Sequence, residues 1–144
     1  MTSLENKAIA FTSVGTAELV DRPYGQPKEN QVLVRMEYTA VSAGTERANL
    51  MDLPNVPHGW PKFLGYCGVG RITELGAAVK NFAVGDRVLV YHGIHAYWNL
   101  VNADQLTKVE DDSVDSRDAA FVIVASMGLG GVRKLELELG ESAM

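Results

Sequence analysis

The chain contains one cysteine, Cys67, among 144 residues, so an internal disulfide and a four-cysteine zinc lobe are both excluded. Basic side chains are few, 13 against 18 acidic ones, and the formal charge of −5 argues against nucleic acid as a partner. The longest uncharged stretch, 119–132, is shorter than the ~20 apolar residues of a membrane span. Glu5 and Lys7 lie where a signal peptide would have its apolar core. We therefore expect a cytoplasmic protein that does not contact a membrane.

The composition is that of one globular domain. Hydrophobic residues make up 47% of the chain and charged residues 22%, proportions that exclude a disordered protein. Within the first hundred residues, short strands alternate with turns. Segment 31–38 places Val32, Val34 and Met36 on one face, the period of a half-buried strand, with Leu33 as the exception on the polar face. Further strands are predicted over 7–13, 17–21, 68–75, 86–91 and 97–101.

Helices are predicted mainly in the last thirty residues. Ser116 is the predicted N-cap of a helix over 117–126, and a second helix is predicted over 132–139, with an interruption at the glycines between them. A shorter helix is predicted over 45–51, where Thr45 can cap the first turn. The pattern indicates a small β-barrel or sandwich with a C-terminal helical extension.

Two glycine clusters were considered as functional loops. Gly128, Gly130 and Gly131 resemble a dinucleotide fingerprint only superficially, because the third glycine position holds Arg133 and no strand is predicted before them. We interpret them as a turn between helices. The segment 64–70 carries three glycines at the start of a strand, which predicts a backbone that passes close to something, either a ligand or a neighbouring strand.

A zinc site built from the histidines is not favoured. His58, His92 and His95 could join Cys67 as ligands, but their spacing matches no compact zinc motif. We expect these histidines to hydrogen-bond locally. A single cysteine is more often a small buried apolar residue than a nucleophile.

The motifs, taken together, resemble a known family. These are VSAGTE at 41–46, LGYCGVG at 64–70, VKNFAVGDRV at 79–88 and HAYW at 95–98. The chain resembles the N-terminal, GroES-like domain of the medium-chain dehydrogenase/reductase superfamily. The resemblance implies a mainly β fold, a Greek-key β-barrel with short helices, followed by a Rossmann domain that carries NAD or NADP. It divides the chain into a substrate-side domain, 1–126, and a helical linker, 127–144, toward a nucleotide-binding domain that is absent.

The resemblance also implies that the catalytic zinc of many members is missing. Ala43 stands at the first zinc-ligand position, and Tyr66-Cys67 stands where those members have the histidine ligand. The third ligand position falls near Ile123 or Val124, which carry no donor atom. We therefore expect no metal, as in zinc-less, quinone-reductase-like branches. The Ser-Ala-Gly-Thr-Glu and Gly-Tyr motifs are most similar to the branch that includes bacteriochlorophyllide-type dehydrogenases.

Site residues follow from the same resemblance. Thr45 takes the position of the relay hydroxyl and Tyr66 that of a ligand, so both are candidates for proton donation or oxyanion support. A helix N-cap for Thr45 and a buried phenol bonded to a backbone carbonyl for Tyr66 are the structural alternatives. Met127 takes a position near the nicotinamide. The residues expected to bind substrate are Glu46, Trp60, Cys67 and His95.

The implied activity is hydride transfer between a nicotinamide and a small molecule that carries a carbonyl, an alcohol or an activated alkene. This chain alone would be inactive and monomeric, and the full-length parent possibly homodimeric. The alternative is a stand-alone GroES-like module that binds a ligand or a partner without redox chemistry. An exposed apolar face on the C-terminal helices would argue against that alternative.

Overall fold

Two antiparallel sheets form the fold in a computed structural model of the chain, which describes residues 5–136. The smaller sheet pairs β1 (Lys7–Ser13) with β2 (Thr16–Asp21). The larger sheet contains β3 (Gln31–Ala40), β4 (Cys67–Leu75), β5 (Arg87–Tyr91), β6 (Trp98–Asn102) and β7 (Leu106–Lys108). Its strand order is β6-β3-β4-β5-β7. Isolated bridges link β1 to Lys62 and Ala96.

The mainly β fold predicted from the sequence is confirmed. The predicted strands match β1 to β6 within one residue at each end, except that β3 extends to Ala40. Strand β7 was not predicted, because three residues are too few to show an alternating pattern. The two sheets do not close on each other within residues 5–136, so the Greek-key barrel itself stays a prediction.

The main core lies on one face of the larger sheet. Val32 and Val34 of β3 are fully buried there, as their alternation predicted. Leu33, the exception in the pattern, is 1% exposed, so both faces of the strand are covered at this point. The other members of the core are Ile72, Val88, Val90, Val101 and Leu106.

A buried arginine attaches the loop after β7 to the sheet. Arg87 begins β5 and is 8% exposed. Its guanidinium donates to the carbonyl oxygens of Val114 at 2.8 Å and Asp111 at 2.7 Å. Because those carbonyls belong to a loop without strand partners, the arginine supplies the hydrogen bonds that a sheet would otherwise provide.

The helices differ from the prediction in their caps and in their continuity. Helix α1 (Ala43–Leu50) starts after Ser42, so Thr45 lies within its first turn and is not the cap. The N-cap of α2 (Ser116–Ala119) is Asp115, whose carboxylate accepts from the backbone of Arg117 at 2.8 Å; the prediction of Ser116 was one residue late.

Helix α3 (Val122–Lys134) runs through all three glycines, so the predicted interruption is wrong. A helix interior tolerates glycine, since the backbone hydrogen bonds do not need a side chain and only ~1 kcal/mol is lost relative to alanine. The predicted second helix is therefore the end of α3, and its positions 137–139 lie outside the described residues. The predicted domain boundary after residue 126 falls inside α3. Among residues 5–136, no helix has the length and apolar character needed to cross a membrane.

Candidate functional site

The predicted site residues lie around one end of the larger sheet. Ala40 at the end of β3 pairs with Cys67 at the start of β4, and Cys67 pairs in turn with Tyr91 at the end of β5. Because these strands are antiparallel, the chain just after β3 lies beside the chain just before β4. The start of α1 and the residue Tyr66 are thereby placed at the same edge.

Glu46 and His95 are hydrogen-bonded to each other. The His95 ring is buried, with its Nε2 3.0 Å from Glu46 Oε1 and its Nδ1 2.7 Å from Thr39 Oγ1. The backbone N–H of Ser42 donates to the same Glu46 oxygen at 3.1 Å. An ionised carboxylate only accepts hydrogen bonds, so Nε2 carries a proton, and in the neutral ring Nδ1 accepts from Thr39. Both ring nitrogens are therefore engaged within the protein.

Thr45 and Tyr66 are more open. Thr45 is exposed in the first turn of α1, where its hydroxyl oxygen accepts from Ser42 Oγ at 3.2 Å. Tyr66 is half-buried, with its ring edge against Tyr91 at a centroid distance of 6.3 Å. The Tyr66 hydroxyl has no hydrogen-bond partner among residues 5–136, so the phenol is not tied to a backbone carbonyl there. It can bond a substrate oxygen without breaking a bond inside the protein.

Cys67 is buried, with 3% of its surface exposed. Burial raises the pKa of its thiol, and the nearby Glu46 charge raises it further. The thiolate is the form that binds metal or attacks an electrophile. This environment therefore disfavours both roles, as expected for a small apolar core residue.

Trp60 and Met127 have other neighbours than the Glu46–His95 pair. The ring of Trp60 packs against the ammonium of Lys62 at 4.6 Å, and that ammonium donates to Asp52 at 2.6 Å. Met127 is 54% exposed on α3 and lines a cavity that also contacts Tyr91. Tyr91 thus lies between Tyr66 and Met127, although the sequence did not single it out. Only the register of β4 with β5 reveals its position.

The glycines at 64–70 are explained by packing. Gly65 has a φ of +116°, and a side chain there would lie 2.9 Å from the backbone nitrogen of His95. At Gly70 a Cβ atom would lie 2.3 Å from the carbonyl oxygen of Arg35 in β3. Of the two explanations left open by the sequence, close approach to a neighbouring strand is the one observed.

Comparison with known proteins gives consistent matches. Residues 28–134 match the model of the alcohol dehydrogenase GroES-like domain. A curated relative, the "Probable NADP-dependent isopropanol dehydrogenase" of Mycoplasma pneumoniae, is 33% identical over 97 residues, which cover 67% of this chain and 27% of the relative. The chloroplast envelope quinone oxidoreductase homolog of Arabidopsis thaliana is 27% identical over 129 residues, which cover 83% of this chain and 39% of the relative.

Solved structures agree in fold. The 2R,3R-butanediol dehydrogenase of Bacillus subtilis superposes with a TM-score of 0.80 at 19% identity, over 95% of this chain and 49% of that protein. The Escherichia coli quinone oxidoreductase complexed with NADPH superposes with a TM-score of 0.68 at 20% identity, over 79% of this chain and 36% of that protein.

This chain belongs to the alcohol dehydrogenase GroES-like domain family. The match covers more than half of the chain, and the architecture agrees with the solved structures. The chain spans less than half the length of each of these four proteins. The resemblance to the medium-chain dehydrogenase/reductase superfamily is thereby confirmed.

The GroES-like domain of this chain does not fit the catalytic zinc found in part of its superfamily. A catalytic zinc site needs three protein ligands. Ala43 has no donor atom, the Cys67 thiol is buried with a raised pKa, and both ring nitrogens of His95 are already bonded. Within residues 5–136, no group of three histidine, cysteine or acidic side chains is arranged to hold a metal ion.

Proposed function

We propose that this chain is the substrate-side domain of an NAD(P)-dependent, zinc-independent oxidoreductase. The enzyme would transfer hydride to or from a small molecule with a carbonyl, an alcohol or an activated alkene. The proposal includes a cytoplasmic location, a nucleotide-binding domain outside this chain, and dimerisation through that domain. Alcohol dehydrogenases and quinone oxidoreductases among the relatives support this reaction class.

The observation that carries the proposal is the unpaired hydroxyl of Tyr66. By the family resemblance it takes the position of a metal ligand of the zinc-dependent members, and it makes no hydrogen bond to residues 5–136. A hydrogen-bond donor at that position can polarise a carbonyl, which is one task of zinc in those relatives. The exposed hydroxyl of Thr45, in the first turn of α1, supplies a second donor.

The remaining site residues hold this arrangement in place. The bond from Ser42 N–H to Glu46 fixes the first turn of α1, and the pairing of Glu46 with His95 ties that turn to the loop before β6. The nicotinamide supplies the hydride when it is bound. In our proposal the exposed Met127 lies against it, Trp60 excludes water from the substrate by its apolar surface, and the buried Cys67 supports the site from the core.

The surface of α3 favours a domain of a larger enzyme over a stand-alone module. None of its described residues is buried. Seven apolar side chains on and beside it are between 41% and 59% exposed. An apolar surface of this kind usually lies in an interface. These residues are Phe121, Val122, Val124, Met127, Leu129, Val132 and Leu135.

The first experiment is an immunoblot of source cells with an antibody against this chain. We expect a band of more than twice 15.6 kDa, the mass of this chain. The native protein, purified with the same antibody, should oxidise NADH or NADPH in the presence of benzaldehyde or 1,4-benzoquinone. A native band at 15.6 kDa, or no oxidation with either acceptor, would refute the proposal and leave the stand-alone module.

A further inference from the structure

His92, which follows β5, is held in an unfavourable backbone conformation. Its φ is +60°, a region that residues with a Cβ atom rarely occupy. Its N–H donates to the carbonyl of Tyr66 at 2.7 Å. Two residues after His92, the backbone of Ile94 is bonded to the buried side chain of Asn99. The Ile94 N–H donates to the Asn99 side-chain oxygen at 2.8 Å, and the Asn99 amide nitrogen donates to the Ile94 carbonyl at 3.0 Å. These three hydrogen bonds maintain the strained conformation. Strain that the surroundings enforce is found most often at functional sites.

The imidazole of His92 is placed for contact with a small molecule. It is exposed and contacts the ring of Tyr91 at a centroid distance of 3.9 Å, with the two ring planes tilted by 46°. Tyr91 in turn contacts Tyr66, so the three rings form a row along the edge of the site. Within residues 5–136, neither ring nitrogen of His92 has a hydrogen-bond partner. In His95, by contrast, both nitrogens are bonded and the ring is buried.

We propose that His92 is the group that exchanges the proton with the substrate oxygen in the reaction proposed above, on which this inference rests. In the reducing direction, the carbonyl carbon takes hydride from a reduced nicotinamide and the C=O π pair moves onto oxygen. That oxygen takes a proton from the imidazolium of His92, which leaves an alcohol, a neutral imidazole and an oxidised nicotinamide. Tyr66 holds the same oxygen by a hydrogen bond while the charge develops.

The chemistry of the side chains supports this division of roles. In peptides an imidazole titrates near pH 6.5 and a phenol near pH 10, so an imidazole exchanges protons more readily at neutral pH. The sequence pointed to His95 as the histidine of the cleft, but its proton is shared with Glu46. His92 was not selected, because its free ring becomes evident only from the folded loop.

Other titratable groups face His92 and influence how the activity would depend on pH. Tyr91 and Tyr66 lie in the aromatic row. His92 also lines a cavity together with Asp21, Arg22 and Tyr24. Asp21 is paired with Lys7 at 2.6 Å, and the Arg22 guanidinium packs over the ring of Phe63 at 4.0 Å.

The first test uses this chain alone. Diethyl pyrocarbonate, a reagent for accessible imidazoles, should modify His92 at least tenfold faster than His95, as measured by peptide mass spectrometry at pH 6.5. Equal rates in the folded chain would contradict the free ring that the proposal requires.

The second test uses the native enzyme with the variant His92→Asn. Asparagine tolerates a positive φ, so the loop keeps its conformation, but its amide cannot exchange a proton at neutral pH. We expect kcat with benzaldehyde and NADPH to fall at least tenfold and the histidine limb of its pH profile to disappear. His58→Asn, which removes the exposed histidine bonded to Asp52, is the matched control and should leave both unchanged.

The outcomes separate the two proposals. If the wild-type enzyme transfers hydride and His92→Asn keeps the rate and the pH profile, His92 is not the proton-exchanging group, and the proposed function stands. If the wild-type enzyme transfers no hydride, both proposals fail. Loss of the limb in His92→Asn, with circular dichroism like that of the wild type, supports both.

Discussion

Gly70 offers the most direct test of the packing at the start of β4. In Gly70→Ala the new Cβ atom would lie 2.3 Å from the carbonyl oxygen of Arg35 and 2.8 Å from a methyl carbon of Val34. Both neighbours belong to β3, an interior strand of the larger sheet that carries core residues, so neither can move without disturbing the core. Overpacking of a well-filled interior costs ~1–3 kcal/mol. Because one of the two contacts is with backbone, we expect a cost of about 3 kcal/mol.

The matched control is Gly130→Ala in helix α3. Within residues 5–136, nothing beyond the backbone of α3 itself lies within 4 Å of the added Cβ there, and alanine is the better helix former. Gly130→Ala should therefore stabilise the chain by about 0.5–1 kcal/mol. Both variants replace a glycine by alanine, so opposite changes in the free energy of unfolding isolate the effect of the contact with β3.

Urea unfolding followed by circular dichroism measures both effects. For a chain of this size, a loss of about 3 kcal/mol corresponds to a fall in Tm of roughly 6–12 °C. The urea midpoint should fall in Gly70→Ala and rise slightly in Gly130→Ala, with the slope unchanged in both. A Gly70→Ala variant within about 0.5 kcal/mol of wild type would refute the close packing of β4 on β3.

Four further outcomes are expected. Tyr66→Phe should lower the turnover of the native enzyme about tenfold without changing its Tm; unchanged turnover would remove Tyr66 from the mechanism. Arg87→Met should destabilise the chain by about 3 kcal/mol in urea, since the carbonyls of Asp111 and Val114 both lose a charged donor. An unaltered midpoint would show that these bonds contribute little. Hydrogen bonds from Lys108 and a backbone N–H hold the pKa of Asp86 below its ordinary value. The stabilisation from these bonds is complete above the pKa of Asp86 in the unfolded chain, near 3.9, and is lost as the pH falls through the lower pKa of the folded chain. The urea midpoint of Asp86→Asn should therefore differ from that of the wild type at pH 7 and converge with it at pH 2. A difference that stays constant with pH would contradict this account. Burial raises the pKa of the Cys67 thiol, so 5,5′-dithiobis(2-nitrobenzoic acid) at pH 8 should react with it only after urea unfolds the chain.

Local sequence patterns were sufficient for most of the strands. The alternation of Val32, Val34 and Met36 predicted β3, and the glycine-containing turns separated the strands that follow it. Motif spacing, through the family resemblance, was sufficient for the fold class, while the roles of Thr45 and Tyr66 stay predictions. These features are local in the chain or follow from the order of motifs along it.

The helical region shows where local rules are too weak. Three glycines between 128 and 131 predicted a break, yet α3 continues through them. The cost of glycine in a helix is ~1 kcal/mol per residue, which is small enough for the rest of the helix to outweigh. The caps of α1 and α2 were each misassigned for a similar reason, since several neighbouring residues can serve as N-caps.

The amino-acid sequence by itself determined which elements form, because hydrophobic period and turn residues act over a few positions. Only the tertiary structure decided which side chains meet. His95 is joined to Glu46 across 49 positions and to Thr39 across 56, contacts that no local spacing encodes. The pairing of β4 with β5 brings Tyr91 and then His92 to the edge where Tyr66 lies. Tertiary contacts therefore decided which histidine ring is bonded within residues 5–136 and which is exposed without a hydrogen-bond partner there.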